Sequence, residues 1–205
     1  MYGISSPDPP LKRCGIFGGD WPVLGYSLKK TVVLVGMMGS GKTAVGSALA
    51  RVLSVPFLDS DTEIVAAANM TIPEIFERDG EAFFRDKETQ VITRLLGSER
   101  GILSTGGGAY LAGDNRHVIS QKGVAVWLRA ELELLWARVR HKNTRPLLRT
   151  ANPRETLGEL CRARDPVYAL ADLAVDARAD YSIEDMAGEV ITALLTRRDV
   201  LEELQ

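Results

Sequence analysis

Gly36-Met37-Met38-Gly39-Ser40-Gly41-Lys42-Thr43 fits the pattern GxxxxGK[ST], and it constrains the chain more than any other feature. Before it, Thr31–Val35 is an unbroken β-branched and apolar run, the texture of a strand buried on both faces. After it, Thr43–Leu53 carries Ala44, Val45, Ala48, Leu49 and Val52 at helical spacing. Strand, glycine loop and helix in that order make a phosphate cradle. Glycines let successive N–H groups turn inward and phosphate oxygens come close. The helix adds its positive N-terminal dipole. Lys42 suits the β- and γ-phosphates, and the Thr43 hydroxyl suits Mg²⁺. The alternative is a glycine-rich turn with an incidental lysine. The pattern implies a nucleotide and says nothing of the acceptor.

The rest of the chain alternates short apolar runs with helical periods. Strands are expected at Pro56–Leu58, Ile102–Ser104, Val124–Leu128 and Leu173–Val175. Helices are expected around Ile64–Ala68, after Thr71, and over Glu81–Leu96, Asn115–Gln121, Glu131–Val139, Pro153–Arg164 and Ile183–Arg197. Thr71 with Glu74 reads as a capping box, and Ser182 as a cap. Five buried strands alternating with helices predict an α/β fold with an open parallel sheet. Residues 61–96 hold more helix than a simple crossover needs, and residues 140–152 form a basic stretch long enough for a lid. Residues 1–28 carry no helical or strand period and contain four prolines before Tyr26. They give the expectation of a flexible N-terminal extension over 1–29 and one folded domain over 30–205.

Composition narrows the partners. The net charge is −2, which disfavours a nucleic-acid binder. No apolar run approaches a membrane span, and the first ten residues lack the basic start and apolar stretch of a secretory signal. Cys14 and Cys161 form no metal or CxxC spacing and read as free thiols of a reducing compartment, hence the cytoplasm.

Asp59 and Asp61 follow the second strand. Two residues apart in extended backbone, both carboxylates would face one side, at the edge of the sheet where open α/β folds bind ligands. One could hold water of a Mg²⁺ shell; the other could accept a proton from an attacking hydroxyl. Asp59 capping the next helix is the plainer alternative. Gly106-Gly107-Gly108 after the third strand allows a ligand to lie on bare backbone, or simply makes a tight turn. Arg85 has Glu81 and Glu88 as helical neighbours, so an intrahelical ion pair is open. Arg164 precedes Asp165-Pro166, where a helix end would favour a cation. Arg138, Arg140, His141, Lys142, Arg145 and Arg149 make a basic stretch that a solvated loop also explains.

Together these segments resemble shikimate kinase, within the nucleoside-monophosphate-kinase-like branch of P-loop proteins. The matching segments are GMMGSGKTAVG at 36–46, FLDSD at 57–61, IPEIFERDGEAFFRDKE at 72–88, LSTGGGA at 103–109, TRPLL at 144–148 and RDPVY at 164–168. The resemblance spans about residues 30–197. It implies a three-layer α/β/α fold with a five-stranded parallel sheet in the order 2-3-1-4-5, an acceptor-binding region at 61–96 and a lid at 140–152. It implies ATP phosphates on Gly39, Ser40, Gly41, Lys42, Thr43 and Ala44, with Mg²⁺ at Thr43 and, through water, at Asp59. By the same resemblance, Asp61 would bind ring hydroxyls of shikimate and act as, or assist, the base at the 3-hydroxyl. Arg85 and Arg164 would clamp the shikimate carboxylate, and Gly107 would bind substrate through its backbone. Arg145 would swing in with the lid to touch the phosphates, and Arg138 would stack near adenine. Lys42, Asp61 and Arg145 would then be the catalytic set. Asp176–Tyr181, on the adenine side, matches nothing securely.

The implied reaction moves the γ-phosphoryl of ATP to shikimate, in a monomer with shikimate as its small-molecule partner and neither nucleic acid nor membrane. A gluconate or nucleoside-monophosphate kinase is the nearest rival, and the arginines and triple glycine speak against a nucleotide acceptor. A GTPase-type switch would need an Asn-Lys-x-Asp sequence, which is absent.

Overall fold

The computed structural model describes residues 25–98, 100–141 and 146–204. Five strands form one parallel sheet: β2 (Thr31–Val35), β3 (Phe57–Asp59), β4 (Ile102–Ser104), β5 (Gly123–Arg129) and β6 (Leu173–Asp176). Their order is β3-β4-β2-β5-β6, which in chain order is the expected 2-3-1-4-5. β2, central and buried at every residue, pairs Val33 with Leu103 on one side and with Ala125 on the other.

The two faces of β2 explain the layers. Val33 and Val35 join Ile92, Leu103, Trp127 and Tyr168 in one core, under α3 (Ile72–Ser98) and α6 (Pro153–Tyr168). Val32 and Leu34 join Leu49, Val126, Val190 and Leu194 in the other, under α1 (Lys42–Leu53) and α7 (Ile183–Leu195). Alternation in a strand sends successive side chains to opposite faces, so a strand covered on both sides must be apolar throughout. The remaining helices are α2 (Ser60–Ala68), α4 (Gly113–Lys122) and α5 (Leu132–Val139). Short 3₁₀ turns occur at Ala109–Leu111 and Pro146–Leu148, the latter within the expected lid.

Four expectations need correction. Gly25–Leu28 is not part of a flexible extension: it forms β1, antiparallel to a C-terminal strand β7 (Leu201–Leu204). Leu28, Val200 and Leu201 anchor this pair in the second core, and Lys29 bridges Glu202 at 2.7 Å. Residues 1–24 lie outside the described residues. The two helices expected between Thr71 and Leu96 run on as α3 with a break at Gly80 (φ 82°, ψ 175°), a backbone region that is essentially glycine-only. Helix α6 does not stop at Arg164; it passes through Pro166 to Tyr168. Pro166 has no N–H to give the carbonyl one turn before it, so α6 runs on with one of its helical bonds missing. Finally, Asp61 lies in the first turn of α2 and not in extended backbone.

Candidate active site

Helix α1 begins without any side-chain cap: Gly41, left-handed at φ 101°, is its N-cap. Its first N–H groups are therefore left to an anion. The Lys42 ammonium donates to the carbonyls of Gly36 (2.8 Å) and Met37 (3.0 Å), folded over its own loop. Ser40 Oγ is buried and has no hydrogen-bond partner among the described residues, an orphan that a phosphate oxygen would satisfy. A cavity of about 520 Å³ opens here, ordinary in size for a small-molecule site. Its walls include Gly39–Val45, Asp59, Asp61, Ser104–Gly107 and Arg138.

Asp59 caps α2, as the plainer reading has it, and also faces the phosphate loop. Its Oδ1 caps α2, accepting from the N–H groups of Asp61 (3.1 Å) and Thr62 (3.2 Å). Its Oδ2 accepts from the Thr43 hydroxyl at 3.4 Å, across from the phosphate loop. Asp61 reaches the same cavity from the first turn of α2 because the cap fixes where that turn begins. Among the described residues no cluster of three or more His, Cys, Asp or Glu side chains is placed to hold a metal. One carboxylate and one hydroxyl are nonetheless what Mg²⁺ takes from a protein when phosphates and water complete its shell.

The glycine triplet is where the other groups converge. A Cβ on Gly106 would stand 2.8 Å from Asp61 Oδ1, and one on Gly108 would stand 2.8 Å from two nitrogens of Arg85. A Cβ on Gly107 would lie 3.9 Å from Arg164. Missing side chains thus let Asp61 and Arg85 close around bare backbone, and the segment is also a tight turn, with the Ala109 N–H donating to the Gly106 carbonyl at 3.1 Å. Arg85 and Arg164 border the triplet and are not among the walls of the large cavity.

Arg85 also makes the intrahelical pairs open from its spacing: Glu88 at 2.8 Å and Glu81 at 3.2 Å. Glu88 is 1% exposed. Burial pushes its carboxyl above the usual range, against the pull of Arg85, while Asp61 and Glu81 push the same way as burial. Burial works against the Arg85 charge too, but Glu88 and Glu81 outweigh it and hold the guanidinium protonated. Arg138 donates to the Gly39 carbonyl at 3.3 Å, over the phosphate loop. Arg145 lies outside the described residues.

The sequence places Asp176–Tyr181 on the adenine side without assigning a residue there, and the far wall of the cavity comes from this stretch and the start of the next helix. Ala177, Arg178, Tyr181, Ser182, Ile183 and Met186 line that wall, from the loop after β6 and the start of α7. The available signal was position, since these residues follow a strand at the carboxyl edge of the sheet, where such folds bind ligands. Tyr168 and Ser60 were passed over. The buried Tyr168 hydroxyl donates to the Gly107 carbonyl, and Ser60 Oγ accepts from the Gly106 N–H at 3.2 Å.

Comparison with known proteins agrees with this geometry. The family model "Shikimate kinase" matches residues 38–195. The chain is 66% identical over 176 residues to a shikimate kinase of Ruegeria pomeroyi, covering 86% of this chain and 90% of that one. It is 67% identical over 175 residues to a shikimate kinase of Cereibacter sphaeroides, covering 85% and 87%. Among solved structures it resembles a shikimate kinase from Acinetobacter baumannii in complex with shikimate, with a TM-score of 0.77 and 38% identity, over 82% of this chain and 94% of that one.

Proposed function

The chain belongs to the shikimate kinase family, and from that premise we propose how its residues divide the work. It is an enzyme that phosphorylates shikimate with ATP, giving shikimate 3-phosphate. The observation that carries the division of roles is the placement of Asp61 and the phosphate loop in one cavity, with Gly106 and Gly107 in its wall.

ATP lies with its phosphates on Gly39–Ala44. The N–H groups at the start of α1 and the Ser40 hydroxyl meet phosphate oxygens, and Lys42 exchanges its two loop carbonyls for the β- and γ-phosphates. Thr43 and Asp59 are the residues that would hold Mg²⁺. The ion offsets charge on the phosphates when bound. Arg138 flanks the nucleotide from the α5 side, and the residues after β6 flank its base.

Shikimate lies against Gly106–Gly108. Arg85 and Arg164 take its carboxylate, for which guanidinium forks are suited. Glu88 holds Arg85 in place and leaves it a cation. Gly107 meets the substrate through its N–H. Asp61 orients the 3-hydroxyl toward the terminal phosphorus and accepts its proton as the new P–O bond forms. Arg145 reaches the phosphates when the 140–152 lid closes and excludes water as a competing acceptor.

Among the described residues no helix is long and apolar enough to cross a membrane. A cytoplasmic enzyme fits its use of ATP and a buried thiol at Cys161. A coupled ADP-release assay over shikimate, gluconate and nucleoside monophosphates tests the acceptor. Turnover should require shikimate; turnover on another acceptor in its absence would overturn the reading.

A further inference from the structure

We propose that the hydroxyls of Tyr168 and Ser60 are positioning groups for the Gly106–Gly108 backbone: Tyr168 holds the Gly107 carbonyl and so aims the Gly108 N–H at the acceptor, and Ser60 holds the Gly106 N–H and so pins the start of the triplet. The inference rests on the reading of that triplet as part of the shikimate site.

Three glycines in a row have no side chain to limit their backbone angles. A peptide unit is a rigid plane in which the C=O and the following N–H point opposite ways. Holding one end of each plane therefore aims the other. The Thr105–Gly106 plane is held by its N–H, which donates to Ser60 Oγ at 3.2 Å. The Gly106–Gly107 plane is held by its carbonyl, which accepts from the Ala109 N–H at 3.1 Å. The Gly107–Gly108 plane is held by its carbonyl, which accepts from the Tyr168 hydroxyl. The N–H groups of Gly107 and Gly108 are thus turned away from their anchors, and neither has an acceptor among the described residues.

The two hydroxyls are themselves rooted in the groups that the reaction needs. Tyr168 is fully buried, with its ring 6.1 Å from that of Trp127 in β5 and its hydroxyl 3.9 Å from the Met37 sulfur in the phosphate loop. It stands one turn after Arg164 on α6. Burial, partly opposed by Arg164, pushes its pKa up to about 12, so the phenol remains a donor at neutral pH. Ser60 is fully buried at the start of α2, between Asp59 and Asp61. Together they tie the glycine triplet to the helix that carries the aspartate and to the helix that carries an arginine.

Steady-state kinetics of Tyr168→Phe and Ser60→Ala, with shikimate and ATP varied in turn, test the assignment. Tyr168→Phe keeps the ring and its packing. Tyr110→Phe is the control, because the Tyr110 hydroxyl makes a comparable bond to the Leu170 carbonyl (3.2 Å) away from the site. Each positioning variant should raise the KM for shikimate more than three-fold with the KM for ATP within two-fold of wild type, and the control should move neither. A smaller rise in the shikimate KM removes that hydroxyl from the role. An equal rise in both constants, or an equal effect of Tyr110→Phe, overturns the proposal as general loosening. If Tyr168→Phe does not fold, Ser60→Ala decides on the same threshold. Wild-type enzyme without shikimate-dependent turnover would overturn the functional reading first, and this inference with it.

Discussion

The Thr43 hydroxyl donates to Oδ2 of Asp59 at 3.4 Å, while Oδ1 of the same carboxylate caps α2. One side chain therefore sets the start of the helix that carries Asp61 and faces the phosphate-loop hydroxyl proposed to hold Mg²⁺. The two jobs are separable by mutation, because an amide oxygen caps a helix about as well as a carboxylate but carries no charge.

Asp59→Asn should keep the cap and weaken Mg²⁺. The Mg²⁺ concentration for half-maximal activity should rise about ten-fold, a loss of about 1.4 kcal/mol, with the melting temperature nearly unchanged. Magnesium titration of activity beside thermal unfolding checks this. An unchanged Mg²⁺ requirement would remove Asp59 from the metal site.

Gly106→Ala and Gly107→Ala should differ. At Gly106 the new methyl meets Asp61 Oδ1 at 2.8 Å and must displace it. At Gly107 its neighbours are at 3.7 Å and beyond, ordinary contact. Gly106→Ala should lower kcat more than ten-fold, because the carboxylate that takes the proton is moved. Gly107→Ala should act mainly on the KM for shikimate, by covering the backbone that meets it. Equal effects on kcat would contradict this geometry.

Glu88 gives a pH dependence of stability. Its folded pKa is raised above the ordinary 4.5, chiefly by burial. The folded state then binds more protons than the unfolded chain between the two pKa values, so this group costs stability as pH rises through that window. Glu88→Gln has no such proton to lose. Its melting temperature relative to wild type should therefore climb between pH 4 and pH 7. A flat or falling difference would mean that Arg85 outweighs burial at this carboxyl.

Ending the chain after Asp199 should destabilise it without touching the site. Val200 and Leu201 are fully buried and β1 loses its only partner strand among the described residues. Burying each such side chain contributes roughly 1.5–3 kcal/mol, an upper estimate. For a domain of this size the melting temperature should drop by roughly 10 °C. Differential scanning calorimetry of the shortened chain measures it, and a drop below a few degrees would show that the terminal pair adds little.

The three inner strands of the sheet were legible because they are buried on both faces and read as continuous apolar runs, as Thr31–Val35 does. The β1–β7 pair was not. Each strand is four residues long with one face open, and partners at opposite ends of a chain leave no local period. Helix α6 was read short because Pro166 is a strong local stop signal, overridden here by the packing of Tyr168 under the sheet. The phosphate loop, Asp59 and Asp61 were legible from motif and position, although Asp61 arrives on a helix. The packing of Asp61 and Arg85 against the triplet was not, since which side chains press against a missing Cβ is a fact of tertiary structure alone.

Asp61 is proposed to accept the proton of an acceptor hydroxyl facing the phosphate loop. The measurement that tests it most directly is kcat for shikimate-dependent ADP release by Asp61→Asn at saturating ATP and shikimate. Loss of the base should cut kcat at least 100-fold, about 2.7 kcal/mol of transition-state stabilisation, while ATP still binds with its wild-type affinity. An Asp61→Asn enzyme turning over at the wild-type rate would contradict the account.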